Sequence, residues 1–436
     1  MRREQDAANE NSPSRWILPF LVLAQLFGTS LWFSSSAALP SLIADWGLSP
    51  SDGGLLVSAV QVGFILGTLI FALTNLADIF PASKVFLTSA VLGAAVNVMF
   101  AYFSSQLGEA LVFRFLTGLA LAGIYPVGMK VVVGWSPGGV GNALGWLIGA
   151  LTIGSATPFL LTAAGTDLPW QTIIMFSSAL AVGSGLVVAW VGDGPYLGSA
   201  QKLDYRMLYQ VFRFRGYRRA ALGYFGHMWE LYAFWVLSPL LVAAGLAALG
   251  WNEPRWISLG TFAVIGIGAV GCIGGGLLSG RLGSRKVASI SLAVSGAMCL
   301  LTPLLLQVHG LLFLGALLIW GIFVVSDSAQ FSAMSAQACP RRYVGTALTV
   351  QNSIGFAITI ISIEWASRLW SALGPNVAWL LAPGPLLGLL LLNWRAGQDP
   401  VLDWDDVDSA RTVEDFVAYP LVDYAAPERS GGPSLF

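Results

Sequence analysis

The sequence is poor in charged residues, and this shortage limits the class of protein that it encodes. Charged side chains make up 10% of its 436 residues, whereas a soluble domain carries about a quarter. Because a chain of this length cannot cover a water-facing surface with so few charges, much of its 56% hydrophobic content must face lipid. The formal net charge of −1 gives no indication of nucleic-acid binding.

Cysteine and histidine are also scarce, which argues against metal-based or nucleophilic catalysis. Cys272, Cys299 and Cys339 lie in or at the end of apolar segments and form neither a CxxC pair nor a Cys/His cluster. They are therefore predicted to be small buried hydrophobic side chains. With only His227 and His309 besides, the sequence predicts no enzyme, no metal site and no cofactor. The ATP-binding pattern GxxxxGK(S/T) is lacking too, so an ion gradient or the solute's own gradient would have to drive transport.

Long apolar segments dominate what the sequence does contain. About 20 mostly apolar residues are enough for a helix to cross a bilayer, and twelve such segments occur. Numbered in chain order, segments 1 to 12 have approximate cores at residues 16–38, 54–76, 85–103, 109–133, 142–163, 171–192, 219–246, 257–279, 287–308, 311–335, 344–368 and 376–394. The sequence thus predicts an all-α membrane protein with twelve transmembrane helices.

Polar stretches divide these segments into two groups of six. The predicted parts are an N-terminal tail (1–15), a six-helix bundle (16–192), a basic central loop (193–218), a second six-helix bundle (219–395) and an acidic tail (396–436). Lysine and arginine concentrate in the short cytosolic loops of membrane proteins. Most basic loop residues fall on the side of the N-terminus, so both tails and the central loop are predicted to be cytosolic in a multi-pass protein of the cytoplasmic membrane.

The two groups of six segments show a faint internal repeat. Three pairs of positions match at offsets of 202 to 204 residues: Asp78 with Gly280, Gly118 with Gly321, and residues 140–144 (VGNAL) with residues 344–348 (VGTAL). Three matches at nearly one offset indicate a duplicated six-helix unit.

The loops after segments 2 and 8 carry sequences that resemble a motif of the major facilitator superfamily. That motif reads Gly-x-x-x-Asp-Arg-x-Gly-Arg-Arg and occurs after helices 2 and 8 of the family. Residues 276–286 keep the glycines and basic residues but have Gly280 in place of the acid, whereas residues 75–84 keep Asp78 and have lost the glycines. The resemblance implies a cytoplasmic gate loop formed by Asp78, Lys84, Arg281, Arg285 and Lys286.

This resemblance covers the whole chain and implies the major facilitator fold, in which two pseudo-symmetric six-helix bundles rock around a central solute site. Arg114 with the small residues after it resembles the family's helix 4 motif. The glycines of segment 5 are similar to the motif of proton-coupled exporters, with Ala150 in place of its proline. Residues 123–126 resemble cyanate and nitrate permease-like members, but the lack of arginine within segments 2 and 8 argues against nitrate.

Ionisable side chains inside the membrane are costly and usually face a cavity. His227 and Glu230 lie three residues apart on one face of segment 7, and Asp327 lies in segment 10. These three residues are the predicted proton-coupling groups, because carboxyl groups removed from water favour the protonated form and imidazole titrates near neutrality. Structural hydrogen bonds or a salt bridge are the alternative. Arg114 is predicted either to bind an anion or to pack against backbone carbonyls.

The resemblance places the solute cavity mainly between segments 1, 4, 7 and 10, and segments 2 and 11 add polar side chains. Interhelical packing is the alternative for each of these side chains. The predicted lining residues are Arg114, Gln25, Thr29, Gln61, Tyr125, Tyr224, Phe234, Trp320, Gln330, Gln351 and Asn352.

Together these features predict a monomeric secondary active transporter that moves a small solute, is coupled to protons and contacts membrane lipid. The motifs of segments 4 and 5 favour export. A proton-coupled or facilitated importer of a small organic anion is the first alternative, and a non-transporting sensor with a transporter fold is the second. The predicted lining suits an amphipathic, cationic or zwitterionic solute. Pro126 and Pro158 are predicted to kink segments 4 and 5.

Overall fold

The structure is a computed structural model, and its described parts are helical. It describes residues 16–74, 76–136, 140–165, 169–196, 211–339 and 344–394, and no strand occurs within these ranges. Both predicted tails and most of the predicted central loop lie outside the described residues.

Segments 1 to 6 form the first half of the molecule. Its helices are α1 (Ile17–Thr29), α2 (Ser34–Trp46), α3 (Pro50–Thr74), α4 (Leu76–Ile79), α5 (Ala82–Phe103), α6 (Leu107–Leu121), α7 (Tyr125–Gly134), α8 (Val140–Ala164) and α9 (Trp170–Val191).

Segments 7 to 12 form the second half. Its α-helices are α10 (Arg215–Ala247), α11 (Pro254–Gly266), α12 (Gly268–Leu282), α13 (Ser284–Val308), α14 (Gly310–Phe323), α15 (Ser328–Gln337), α16 (Val344–Leu373) and α17 (Pro383–Asn393), and Val211–Arg213 and Gly374–Leu380 are 3₁₀ turns.

The helices account for twelve passes across a membrane. Within the described ranges, eleven helical spans are long and apolar enough to cross one, and the last of them, Ala347–Asn393, runs for 47 residues. Since about 20 residues make one pass, that span holds two passes, one in α16 and one ending in α17. Large apolar side chains such as Phe103 and Trp190 are exposed on the surface, as expected of helices that face lipid.

Segment 7 begins earlier than the sequence indicated. The predicted loop 193–218 extends four residues too far, because α10 already begins at Arg215. Basic side chains in the first turn lower the local hydropathy, although they are compatible with a helix that projects beyond the apolar layer. The hydropathy pattern therefore locates the apolar core of the segment better than the end of the helix.

Several segments are interrupted. Segment 1 breaks between α1 and α2, segment 4 between α6 and α7, and segment 10 between α14 and α15. The break in segment 4 lies directly before Pro126, as predicted, whereas Pro158 lies inside the uninterrupted helix α8. Backbone groups at a break inside a membrane need other hydrogen-bonding partners, so each break requires polar side chains nearby.

Two extensive helix contacts join the halves. Helix α3 packs along α16, and α8 packs along both α11 and α12. In the first contact, the Ser58 hydroxyl donates a hydrogen bond of 2.8 Å to Oε1 of Glu364. The breaks in segments 1 and 10 lie in the middle of their segments.

Candidate functional site

Arg114 on α6 is fully buried and holds the break in segment 1. Its Nη2 donates to the backbone oxygens of Leu31 (3.0 Å) and Trp32 (2.7 Å). Its Nη1 donates to Oδ1 of Asn97 (2.9 Å) and Oγ of Ser34 (3.2 Å). The break leaves the two carbonyls available, and the guanidinium satisfies them. These contacts are those of a packing arginine, and its role toward an anion stays a prediction.

The positive charge of Arg114 has no acidic partner among the described residues. Every acceptor it contacts is neutral, and its Nε has no hydrogen-bonding partner. The ring of Phe100 lies 6.0 Å from the guanidinium carbon, at the edge of cation–π range. The first half therefore buries an uncompensated positive charge beside the break in segment 1.

His227 and Asp327 form a buried pair in the second half. Nδ1 of His227 lies 2.9 Å from Oδ1 of Asp327, and both side chains are almost fully buried. The other ring nitrogen, Nε2, lies 2.8 Å from the hydroxyl of Ser328. Asp327 immediately precedes α15 and Ser328 begins it, so the break in segment 10 brings both groups to His227.

The His227–Asp327 contact can form with the imidazole charged or neutral. Nδ1 and Oδ1 are 2.9 Å apart, so an N–H on Nδ1 can donate to the carboxylate in either form. The Ser328 hydroxyl can donate to Nε2 or accept from it. The ring can therefore keep both contacts in either protonation state, and a second proton on the ring adds the attraction between opposite charges.

Glu230 lies in a different environment from His227. Its carboxylate accepts hydrogen bonds from Trp320 Nε1 (2.5 Å), Ser295 Oγ (3.0 Å) and Cys299 Sγ (3.2 Å). His227 and Glu230 therefore have different partners although both lie on one face of segment 7: one turn of α10 directs His227 to the break in segment 10 and Glu230 to α13 and α14. Three donors suit an ionised carboxylate.

Aromatic rings from both halves stack where the halves meet. We call this set the interface cluster: Trp32, Phe33 and Phe64 from the first half, with Tyr232, Trp235 and Phe356 from the second. Trp32 lies 5.6 Å from Tyr232 and 5.9 Å from Phe356, with interplanar angles of 28° and 25°. The rings are buried, so the halves meet here without intervening solvent.

Several buried polar atoms at this interface have no hydrogen-bonding partner. They include the indole nitrogens of Trp32 and Trp235 and both amide atoms of Gln61. Gln61 lies three residues from Ser58 and three from Phe64, so it shares the face of α3 that meets α16. Buried polar groups are normally satisfied. These atoms are therefore candidates for hydrogen bonds with a bound molecule.

The other predicted lining residues have mixed surroundings. Thr29 donates to the backbone oxygen of Gln25, whose amide atoms have no partner and which lies against Gly128 within the first half. Gln351 accepts a hydrogen bond from Ser335, and its Nε2 has no partner. The remaining ones are Phe234, stacked on Trp320; Tyr224, beside His227 and Phe331; Tyr125, beside Phe64; buried Gln330; and half-buried Asn352.

The predicted gate loop is only partly described. The side chain of Asp78 lies outside the described residues. Lys84 is exposed in the first turn of α5 and lines an apolar cleft of about 490 Å³ on the flank of the first half. Arg281, Arg285 and Lys286 are exposed near the junction of α12 and α13. The gating role of these residues stays a prediction.

Sequence reasoning missed a carboxylate near that loop. Asp193, after α9, accepts hydrogen bonds from the backbone nitrogens of Ala82 (3.0 Å) and Ser83 (2.7 Å). A carboxylate at a helix N-terminus satisfies free N–H groups and complements the helix dipole. Nothing in the local sequence around residue 193 could have indicated this partner, which is more than 100 residues away.

The cysteines are buried and unpaired, in line with the prediction. Cys339 follows the membrane span of segment 10, and burial raises the pKa of its thiol to about 12. Cys299 has an additional role that the sequence did not indicate, because its thiol donates to Glu230.

Comparison with known proteins agrees with this architecture. A family model described as Major Facilitator Superfamily matches residues 21–363. The niacin transporter NiaP of Acinetobacter baylyi is 27% identical over 191 residues, which are 41% of this chain and 41% of that protein. The match thus spans about two fifths of that relative's length.

A solved structure shows the same fold. It is the proton:xylose symporter XylE bound to 6-bromo-6-deoxy-D-glucose, with a TM-score of 0.68 and 14% sequence identity. The superposition covers 87% of this chain and 96% of the symporter. At this identity the likeness shows the fold alone.

Proposed function

The chain belongs to the major facilitator superfamily, and from this premise we propose that it is a proton-coupled transporter in which the His227–Asp327 pair carries the coupling proton. Members of the family are transporters rather than enzymes, and the chain is accordingly a multi-pass secondary transporter. The proposal concerns the coupling ion, the residues that bind it and the direction of transport.

The His227–Asp327 contact is the observation that carries the proposal. With a proton on the imidazole the pair has no net charge, and the 2.9 Å contact is an ion pair. Without that proton, Asp327 is a buried carboxylate whose negative charge the neutral imidazole no longer balances. Leaving one buried charge without its partner is strongly destabilising. The proton therefore stabilises this packing, and its release favours an arrangement in which water reaches Asp327.

The position of the pair links the proton to movement of the backbone. Asp327 and Ser328 lie at the junction of α14 and α15, and His227 lies on the continuous helix α10. A change in the angle at the junction changes both contacts of the imidazole at once. Helix α15 also packs against α8 of the other half, so the same change reaches the interface between the halves.

Glu230 is the second acid of the second half, and we assign it a positioning role. Its three hydrogen bonds tie α10 to α13 and α14. Since all three groups are donors, the two carboxyl oxygens satisfy them as acceptors. Glu230 thus fixes α10 next to the junction at which Asp327 binds His227.

Export is the proposed direction, on the strength of the motifs in segments 4 and 5. A proton-coupled importer of a small organic anion is the second candidate, and the uncompensated charge of Arg114 favours it. The two candidates differ in how the proton moves. An exporter exchanges a proton for the solute, whereas an importer of this kind carries both in the same direction.

Purified protein in proteoliposomes tests coupling and direction together. We propose labelled nicotinate and xylose as first probes, because a relative and a structural neighbour are named for niacin and xylose. Uptake in protein-free vesicles is subtracted, since a weak acid enters along a pH gradient unaided. We expect wild-type protein to accumulate a probe when the lumen is acidic if it is an exporter, and when the exterior is acidic if it is an importer.

Asp327→Asn should abolish accumulation under either gradient while keeping exchange of labelled for unlabelled solute. Glu253→Gln is the matched control, because Glu253 is an exposed acid before α11. Accumulation by Asp327→Asn at the wild-type level would show that another group carries the proton. Wild-type protein that moves no probe under either gradient would contradict transport of these solutes and favour the sensor.

A further inference from the structure

We propose that the interface cluster binds the solute, and that the solute is a planar conjugated ring bearing an anionic hydrogen-bond acceptor such as a carboxylate. This inference rests on the proposed transport function and names its substrate class. It does not depend on the direction of transport or on which residue carries the proton.

Ring stacking is the first observation. Trp32 and Phe33 lie with their faces toward Tyr232 and Phe356, at interplanar angles of 10° to 28°. These pairs join the two halves, so the rings must separate whenever the halves move apart. A planar ring inserted between them restores the stacking contacts on both sides. A saturated ring cannot do so equally well, because it is thicker and has no π face.

Unpartnered donors are the second observation. The N–H groups of Trp32 and Trp235 are buried and have no acceptor, although both rings take part in the stacking. The Gln61 amide, one helical turn from Phe64, is equally unpartnered. Indole nitrogens are donors only. A ligand that completes this site must therefore bring acceptors, and a carboxylate brings two oxygens.

The charge of Arg114 is the third observation. Its guanidinium donates to the backbone oxygen of Trp32 at 2.7 Å, so the charge lies against the backbone of a residue whose ring belongs to the cluster. No described acid neutralises it. In a medium of low dielectric constant such a charge acts over several ångströms. The charge therefore favours an anionic solute even when the solute does not contact the guanidinium.

Equilibrium binding to the full chain in lipid nanodiscs tests the proposal without any gradient. The probes are benzoate, nicotinate and 2-naphthoate, compared with cyclohexanecarboxylate, which lacks the planar ring, and benzamide, which lacks the charge. We expect at least one planar anion to bind about tenfold or more tightly than both comparison compounds. Equal affinity for cyclohexanecarboxylate, or no saturable binding of any planar anion, would overturn the proposal.

A conservative variant tests the residues. Trp32→Phe keeps a ring for stacking and removes the N–H, and the loss of one hydrogen bond to a charged group should weaken binding about tenfold. Trp229→Phe is the control, because the Trp229 indole donates to the backbone oxygen of Leu380 and contacts Trp365 away from the cluster. Gln61→Met is a second variant that leaves the rings unchanged. Binding unaltered in both Trp32→Phe and Gln61→Met would place the solute elsewhere.

The outcomes separate this proposal from the coupling proposal. Ring-selective binding together with gradient-driven accumulation by Asp327→Asn would refute only the role of Asp327. Coupling lost in Asp327→Asn, but with no preference for planar anions, would refute only the substrate class.

Discussion

At the scale of single residues, burial of polar groups decides most of the chemistry. The sequence identified Arg114, His227, Glu230 and Asp327 correctly as intramembrane ionisable residues, and all four are buried. It could not assign their partners. Spacing along a helix gives the face on which a side chain lies, but the neighbour on that face depends on packing between helices. For this reason His227 and Glu230, which share a face of segment 7, have different partners.

Arg114 offers a residue-scale prediction about stability. Arg114→Lys keeps the charge but cannot reach four acceptors at once, since the planar fork is lost. Each hydrogen bond to a charged group contributes about 1.5–3 kcal/mol, so the variant should lose at least about 3 kcal/mol and unfold at a clearly lower temperature. Thermal unfolding of the purified protein in one detergent measures this.

Arg255→Lys is the control for that measurement, because Arg255 is exposed at the start of α11. An unfolding temperature of Arg114→Lys that equals that of the control would mean that the four bonds to segments 1 and 3 do not stabilise the fold.

At the scale of helices, hydropathy predicted where the segments lie but not where most of them break. Pro126 indicated the break in segment 4. The breaks in segments 1 and 10 lie in continuous apolar or small-residue sequence. They persist because distant residues satisfy the freed backbone oxygens: Arg114 donates to those of Leu31 and Trp32, and the Cys272 thiol donates to that of Val325. Such compensation cannot be read from the local sequence.

Close packing of α12 against α14 predicts how glycine substitutions in α12 affect stability. A Cβ on Gly271 would lie 1.9 Å from the backbone oxygen of Ile322, so Gly271→Ala must push the helices apart. We expect a loss of about 1–3 kcal/mol, the usual cost of overpacking. Gly274→Ala on the same helix meets nothing within 4 Å and should be neutral or slightly stabilising. Equal unfolding temperatures for the two variants would contradict the packing seen here.

At the scale of the whole molecule, the buried charges differ between the two halves. Among the described residues, the first half buries Arg114, and the second buries Glu230, Asp327 and His227 together with Arg215. The internal repeat and the two bundles were predictable from the sequence, because they depend on hydropathy and spacing. The interface cluster was not, since aromatic residues make up 12% of the chain and only the assembled halves show which of them meet.

A disulfide between the two halves tests whether they move relative to each other during transport. A Cβ on Gly54 of α3 would lie 2.8 Å from Cβ of Ser367 on α16, close enough for a disulfide after a small adjustment. Oxidised Gly54→Cys/Ser367→Cys should stop transport, and reduction should restore it. Either single-cysteine variant should be insensitive to oxidant. Transport at the full rate by the cross-linked protein would contradict rocking at this contact.

The proton carried by His227 and Asp327 is the central claim, and proton exchange on binding tests it most directly. Calorimetric titration of the purified protein with its best-bound planar anion, in two buffers of different ionisation enthalpy near pH 7, gives the number of protons exchanged per bound solute. By linkage, wild-type protein should exchange about one proton and Asp327→Asn none. The same proton count in both proteins would contradict the assignment.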